Sequence, residues 1–324
     1  MLARSFRRWH SPLLASVLAA ACASTPAPEA PTAAAEPSLL GEPSSGFEAG
    51  VEAIGASDFE GARKIFAGVV KEEPGNAQAV FYLGVSQQNL GQSKPAIESY
   101  EKALSLDPKL TEASVNLTAA LLDAGEAERA LPVIERGLAN SPGHPGLLYN
   151  RALASSAAGK TTEAVAAYRE ALAADPQNVE IKYGYAEALV AAGSTSQARE
   201  LLTELTRSDD EDVLASTARL LGRLKQFDGC IEALDRAIAK KPVSELYVQR
   251  GLCQHGKKND AAAFEDFQRG VQKDPSYAPA HYYAGMDLKM QGKKAEARAA
   301  LQRAVELAGD EAIGKAAKRA LESL

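Results

Sequence analysis

The feature that most constrains this 324-residue chain is a ladder of prolines. Pro74, Pro108, Pro142 and Pro176 stand 34 residues apart, and the ladder resumes at Pro242 and Pro275. Glycines keep the same interval at Gly91, Gly125, Gly159 and Gly193, with Gly292 further on. A third series places a small residue at Ala62, Ala96, Ala130, Ala164, Ala198, Cys230, Ala263 and Ala297. Four residues after each comes a large apolar side chain: Phe66, Tyr100, Ile134, Tyr168, Leu202, Leu234, Phe267 and Leu301. Ladders in phase mean that one structural unit is copied along the chain, so the fold must be a stack of like units.

Each ladder has a mechanical reason. Residues four apart share a helix face, so the small residue and the large one belong to one helix. The small residue admits a neighbouring backbone and the large one fills the space beyond it. Each glycine follows an apolar helical run and suits the left-handed position that ends a helix. Ser93, Thr161 and the pair Ser194 and Gln197 come next and are expected to cap the second helices. Proline stops each second helix, because it has no N–H to continue the ladder. The unit is helix, glycine turn, helix, proline stop, and the predicted class is all-α. Only 6% aromatic content fits closely packed helices better than a sandwich or barrel.

These features resemble the tetratricopeptide repeat. The second unit carries Leu83-Gly84 in its first helix, then Ala96, Tyr100, Ala103-Leu104 and Pro108. The resemblance implies a right-handed solenoid of about eight helix-turn-helix repeats over 46–311. Units begin near residues 43, 77, 111, 145, 179, 211, 244 and 278. Three departures stand out. Ser57 takes the glycine place in the first unit, and the fifth ends at Asp209-Asp210 without proline. In the sixth, Lys225 replaces glycine and Cys230 fills the small slot, so looser geometry is expected between residues 205 and 230. Segment 312–324 sets Ile313, Ala317, Ala320, Leu321 and Leu324 on one face against Lys315, Lys318 and Arg319, as a helix capping the stack would.

Ahead of the repeats, Arg4, Arg7 and Arg8 precede a short apolar run from Leu13 to Ala21. A spanning helix needs ~20 apolar residues, so 1–21 reads as a secretory signal. Leu18-Ala19-Ala20-Ala21-Cys22 resembles a bacterial lipobox, with Leu18 one place earlier than usual. That resemblance implies acylation of Cys22 and attachment to the outer membrane, facing the periplasm. Plain cleavage after small residues, giving a soluble periplasmic protein, is the rival. Residues 22–45 are rich in Ala and Pro and are expected to form an extended, disordered tether.

Chemistry is sparse. His144, His255 and His281 fall in different units without ligand-spaced partners, so no metal and no cofactor are expected. There is no P-loop, dinucleotide fingerprint or nucleophile elbow, so neither catalysis nor a small-molecule substrate is expected. A net charge of -6 argues against nucleic acid. Cys230 and Cys253 read as two small core residues rather than a bridge, although an oxidising periplasm would permit one.

Binding remains. The family phase turns Phe81, Val85, Val115, Tyr149, Leu153, Tyr183, Val248, Tyr282 and Met286 toward the inner wall, with Asn116 and Asn150 beside them. As candidate groove residues they imply an apolar, extended or helical protein partner. The lysines with which some relatives grip acidic C-terminal tails are absent, since Phe81, Val115 and Tyr149 occupy those places. The expected function is a non-catalytic scaffold lipoprotein of the envelope. It is similar to the pilotins that help type IV pilus secretins assemble, or to gliding-motility lipoproteins, and would bind secretin, pilus or motility subunits. Regulation of a peptidoglycan-synthesising or -cleaving enzyme is the alternative.

Overall fold

The computed structural model describes residues 45–324, and among them are seventeen helices and no strand. The signal, Cys22 and the tether lie outside the described residues. The chain folds as two compact units, the first ending at Ala174 and the second running Asp175–Leu324. In the first, four hairpins follow one another: α1 (Ser45–Gly55) with α2 (Phe59–Glu72), α3 (Ala77–Asn89) with α4 (Ser93–Leu106), α5 (Thr111–Asp123) with α6 (Ala127–Asn140), and α7 (Pro145–Ala157) with α8 (Thr161–Ala174). The second has α9 (Val179–Ala191) with α10 (Thr195–Leu205), α11 (Glu211–Arg223) with α12 (Phe227–Lys240), α13 (Ser244–Gly256) with α14 (Asp260–Lys273), and α15 (Ala278–Met290) with α16 (Lys294–Ala308). A last helix, α17 (Ala312–Glu322), lays Ala317 and Ala320 against Leu301 and Ala304, while Lys315, Lys318 and Arg319 face water.

The small-and-large ladder is the core. All eight small residues, Cys230 included, are at most 1% exposed, and their partners four residues on at most 3%. Three of the four ring partners, Phe66, Tyr100 and Phe267, have a glycine opposite. A Cβ built on Gly84 would stand 2.7 Å from the Tyr100 ring, and one on Gly251 would stand 2.5 Å from Phe267. Where Thr118, Ala152, Ala186 and Ala218 replace that glycine in phase, the side chain opposite is Ile134, Tyr168, Leu202 or Leu234. Each hairpin thus sets its own balance of volume.

The turns are chemically uniform. Gly91 has φ +74; its N–H donates to the Gln88 carbonyl at 3.0 Å, and the Gln92 N–H reaches the Gln87 carbonyl at 2.9 Å. That pair of bonds satisfies the carbonyls a helix end leaves open. Lys225 (φ 56) and Lys258 (φ 64) make the same two bonds without glycine's freedom, as does Ser57 (φ 59). A side chain in the left-handed region costs about 1–2 kcal/mol.

Two expectations are corrected and one is met. Ser93 and Thr161 open their helices from inside, and Ser194, though at the cap position, makes no side-chain cap bond. Gln92 and Ser194 have ψ near 60°, short of the extended value that swings a capping oxygen over the first N–H groups. Side-chain caps sit mostly at first helices, where Asn76, His144, Asn178 and Asp210 are extended; among second helices Asp58 caps α2, accepting from the Gly61 N–H at 2.9 Å. The junction after α10 is looser, as expected, since α10 and α11 pack more thinly than the corresponding helices of the other consecutive hairpins within each unit, although hydrogen bonds still order it. Thr206, Arg207 and Ser208 donate back to the carbonyls of Leu202, Glu204 and Leu205, and Arg236 from α12 grips the carbonyls of Arg207 and Ser208 at 3.1 and 3.2 Å. Finally, Cys230 and Cys253 are bonded, with Cα atoms 6.3 Å apart. Both are buried as expected, but the second helix of one repeat faces the first helix of the next. Gly222 lies beside the bond, where a Cβ would come within ordinary contact of both sulfurs, at 3.4 Å from Cys253 and 3.7 Å from Cys230.

Candidate protein-binding face

Every candidate groove residue lies on a first helix, since α3, α5, α7, α9, α13 and α15 carry all eleven. In the first unit, Phe81, Val85, Tyr149, Asn150 and Leu153 are each less than a tenth exposed. Phe81 packs edge-on to Tyr82 with ring centres 5.1 Å apart, and Tyr149 lies 6.3 Å from Tyr168. Asn150 spends both its donors internally, on the Thr118 hydroxyl at 2.7 Å and the Val115 carbonyl at 3.1 Å. It ties α7 to α5 and keeps only its carbonyl for other work. Asn116 is half-buried beside Tyr100, whose hydroxyl donates to Gln88 at 2.6 Å. Burial pushes the Tyr100 hydroxyl far up, so it stays a donor.

The second unit is more open. Tyr183, Tyr282 and Met286 are half-buried, and Leu252, one repeat before Met286 in the same phase, is 39% exposed. Tyr183 donates to the Glu187 carboxylate at 3.1 Å, and Arg219 and Arg223 act on both groups from α11. Desolvation raises the Tyr183 hydroxyl strongly and lifts the Glu187 carboxyl, against the pull of Tyr183 and the two arginines. This face therefore offers an aromatic ring, a carboxylate and two guanidinium groups beside an apolar stretch. Such a mixture of ring, ion and aliphatic contacts suits a polypeptide.

Several contributors carry no mark in the sequence. Tyr82 stacks on Phe66 at 5.3 Å and meets Phe47 edge-on at 5.7 Å, sealing the start of the stack. Arg250 on α13 chelates Asp266 of α14 (2.9 and 2.6 Å) and reaches Asp235 of α12 at 2.5 Å. Asp266 is only 3% exposed, and its bonds, with those of Asp235, hold the Arg250 proton more firmly than usual. Their spacings of 16 and 15 residues cross between helices, so no helical periodicity flags them. Among the described residues no group of three or more His, Cys, Asp or Glu is placed to hold a metal, and no helix is long and apolar enough to span a membrane.

Comparison with known proteins places this geometry. No curated protein sequence matches the chain significantly. Among solved structures, yeast Tom70 is similar at 16% identity and a TM-score of 0.51, over 82% of this chain and 58% of Tom70. A tetratricopeptide repeat protein from Parabacteroides merdae ATCC 43184 shares 19% identity over 86% of this chain and 96% of its own, with a TM-score of 0.45. MamA from Desulfovibrio magneticus RS-1 shares 22% identity over 49% of this chain and 90% of its own, at 0.47. The likeness to Tom70 supports a shared helical fold and nothing about its role. Tetratricopeptide sequence profiles match residues 47–111, 86–145, 119–178 and 216–278, others match 156–220 and 280–310, and together they take in every helical hairpin. A scaffold of this kind is generally non-catalytic and serves protein–protein interaction. With the helical hairpins, the buried ladders and the profile matches in agreement, the chain belongs to the tetratricopeptide repeat family.

Proposed function

We propose that this protein is an envelope scaffold, anchored to the outer membrane through acylated Cys22, which binds other envelope proteins along its first-helix face and helps a secretin, pilus or motility machine assemble. The observation that carries the binding role is the open stretch of Tyr282, Leu252 and Met286 on first helices whose neighbours are sealed. An oxidising compartment is supported by the bonded Cys230 and Cys253, because such bonds persist outside the reducing cytosol. The short apolar run ending at Cys22 supports the anchor.

Two experiments test the proposal. Cys22→Ser should move the protein from the membrane to the soluble periplasmic fraction after a high-salt wash; retention on the membrane would remove the acyl anchor. Crosslinking in intact cells followed by pull-down should recover a secretin, pilus or motility subunit. Recovery of a wall synthase or hydrolase instead would replace assembly with regulation of peptidoglycan.

A further inference from the structure

The two long edges of the second unit differ in charge. At one edge the links between α11 and α12, α13 and α14, and α15 and α16 stack in order. Their exposed cations are Arg223 and Lys225, then Lys257 and Lys258, then Lys293 and Lys294, and they outnumber the neighbouring acids Asp228, Asp260 and Glu296. The first two links meet: Lys257 pairs with Asp228 at the start of α12, and Gly256 packs against the Phe227 ring there. Lys225, Lys258 and Lys293 have no side-chain partner among the described residues. Met290, the last residue of α15, stands beside them at 61% exposure, the highest of any large apolar side chain described. At the opposite edge Asp209, Asp210, Glu211 and Asp212 lie in a row, with the exposed Lys240, Lys241 and Lys273 spread along the same edge.

We infer that the basic edge of these three links rests on an anionic lipid bilayer, with Met290 entering the headgroup layer. The chain as a whole is acidic, at -6, so a negative surface is repelled except where cations are gathered. The gathered groups are mainly lysines, mobile point charges that suit a diffuse negative plane better than a fixed carboxylate pattern. They project from turns and form a ridge, which a flat surface can meet, whereas an acidic peptide needs a groove to enclose it. Each lysine near such a surface contributes ~1 kcal/mol, and an exposed apolar residue adds to that on insertion. This contact is independent of acylation at Cys22 and of any protein partner.

The test uses the full chain carrying Cys22→Ser, sedimented with phosphatidylglycerol vesicles or with phosphatidylcholine vesicles. The unacylated protein should co-sediment with the first only and be released by salt. A triple variant, Lys225→Gly, Lys258→Gly and Lys293→Gln, should lower the partition coefficient about a hundredfold, as loss of three such charges implies. Glycine suits the positive φ at the first two positions, so the variant should keep its circular-dichroism spectrum. Equal binding to both vesicles, unchanged binding by the triple variant, or capture of a polyglutamate peptide without vesicle binding would overturn the proposal.

Discussion

The two compact units carry the same repeat and stabilise it by different means. In the first, one apolar cluster runs from Ile54 to Ala154, with Phe47, Phe66, Tyr82, Phe81 and Tyr100 in mutual ring contact. Its turns after α3, α5 and α7 use glycine at positive φ. In the second, polar and covalent links cross the core: the Cys230–Cys253 bond, the Arg250–Asp266 chelate, and a buried Asp287 with one unpartnered oxygen. Lysine stands at the left-handed place in two of its turns. The repeat fixes which positions are buried and how large the paired residues can be. It leaves open the means of joining one hairpin to the next.

The largest effect expected from breaking this contrast is in the first unit. Tyr149→Ala should cost about 3–5 kcal/mol, because the ring is 8% exposed and fills space against Tyr168. Chemical denaturation followed by circular dichroism would check it. Tyr149 is therefore a poor probe of partner binding, and Tyr183 and Tyr282, half-buried, are better ones. Next comes the second unit's buried pair. Asp266→Ala should cost about 3 kcal/mol by leaving Arg250 partly uncompensated, whereas Ser99→Ala, the in-phase change in the first unit, should cost about 1 kcal/mol or less. Comparable losses from both would erase the contrast. Replacing both Cys230 and Cys253 by alanine removes a cross-link over 23 residues and should cost about 3 kcal/mol. Reductant should lower the melting temperature of the parent and leave the double variant unmoved.

These effects explain how far the sequence could be read. The prolines, the glycine turns and the small-and-large pairs were legible because each is a local rule repeated at a fixed interval. The Cys230 slot announced a small buried residue, yet nothing in the period says which side chain the next first helix sets opposite it. Asp266 was invisible for the same reason, since its partner Arg250 lies on another helix. Among the candidate groove residues, the shared first-helix position was legible and the exposure was not. Phe81 and Tyr183 occupy equivalent places, but the first is 6% exposed and the second half-buried, because packing neighbours decide how much of each ring remains open.

Smaller changes sharpen the comparison at the turns. Lys225→Gly and Lys258→Gly should each stabilise the second unit by about 0.5–1 kcal/mol, since relief at positive φ exceeds the added entropy of the unfolded chain. Gly125→Ala should destabilise the first unit by about 1 kcal/mol. The smallest effect concerns pH. Burial foremost, aided by Asp260 and opposed by His255, raises the Asp287 carboxyl above its ordinary 3.8. The folded state therefore holds this proton more tightly than the unfolded chain, so stability contributed here is greatest in acid and falls as pH rises from about 4 through the raised value. Asp287→Asn should flatten that part of the stability profile and leave the protein more stable at neutral pH.

In the proposed scaffold, first helices meet a partner protein while second helices face water. Photo-crosslinkers placed singly at Tyr183, Leu252 and Tyr282, and for contrast at Glu163, Glu232 and Arg303 on second helices, test this in intact cells. First-helix positions should yield one shared protein adduct, and second-helix positions none. Adducts confined to the second helices, or none at any first-helix position, would contradict it.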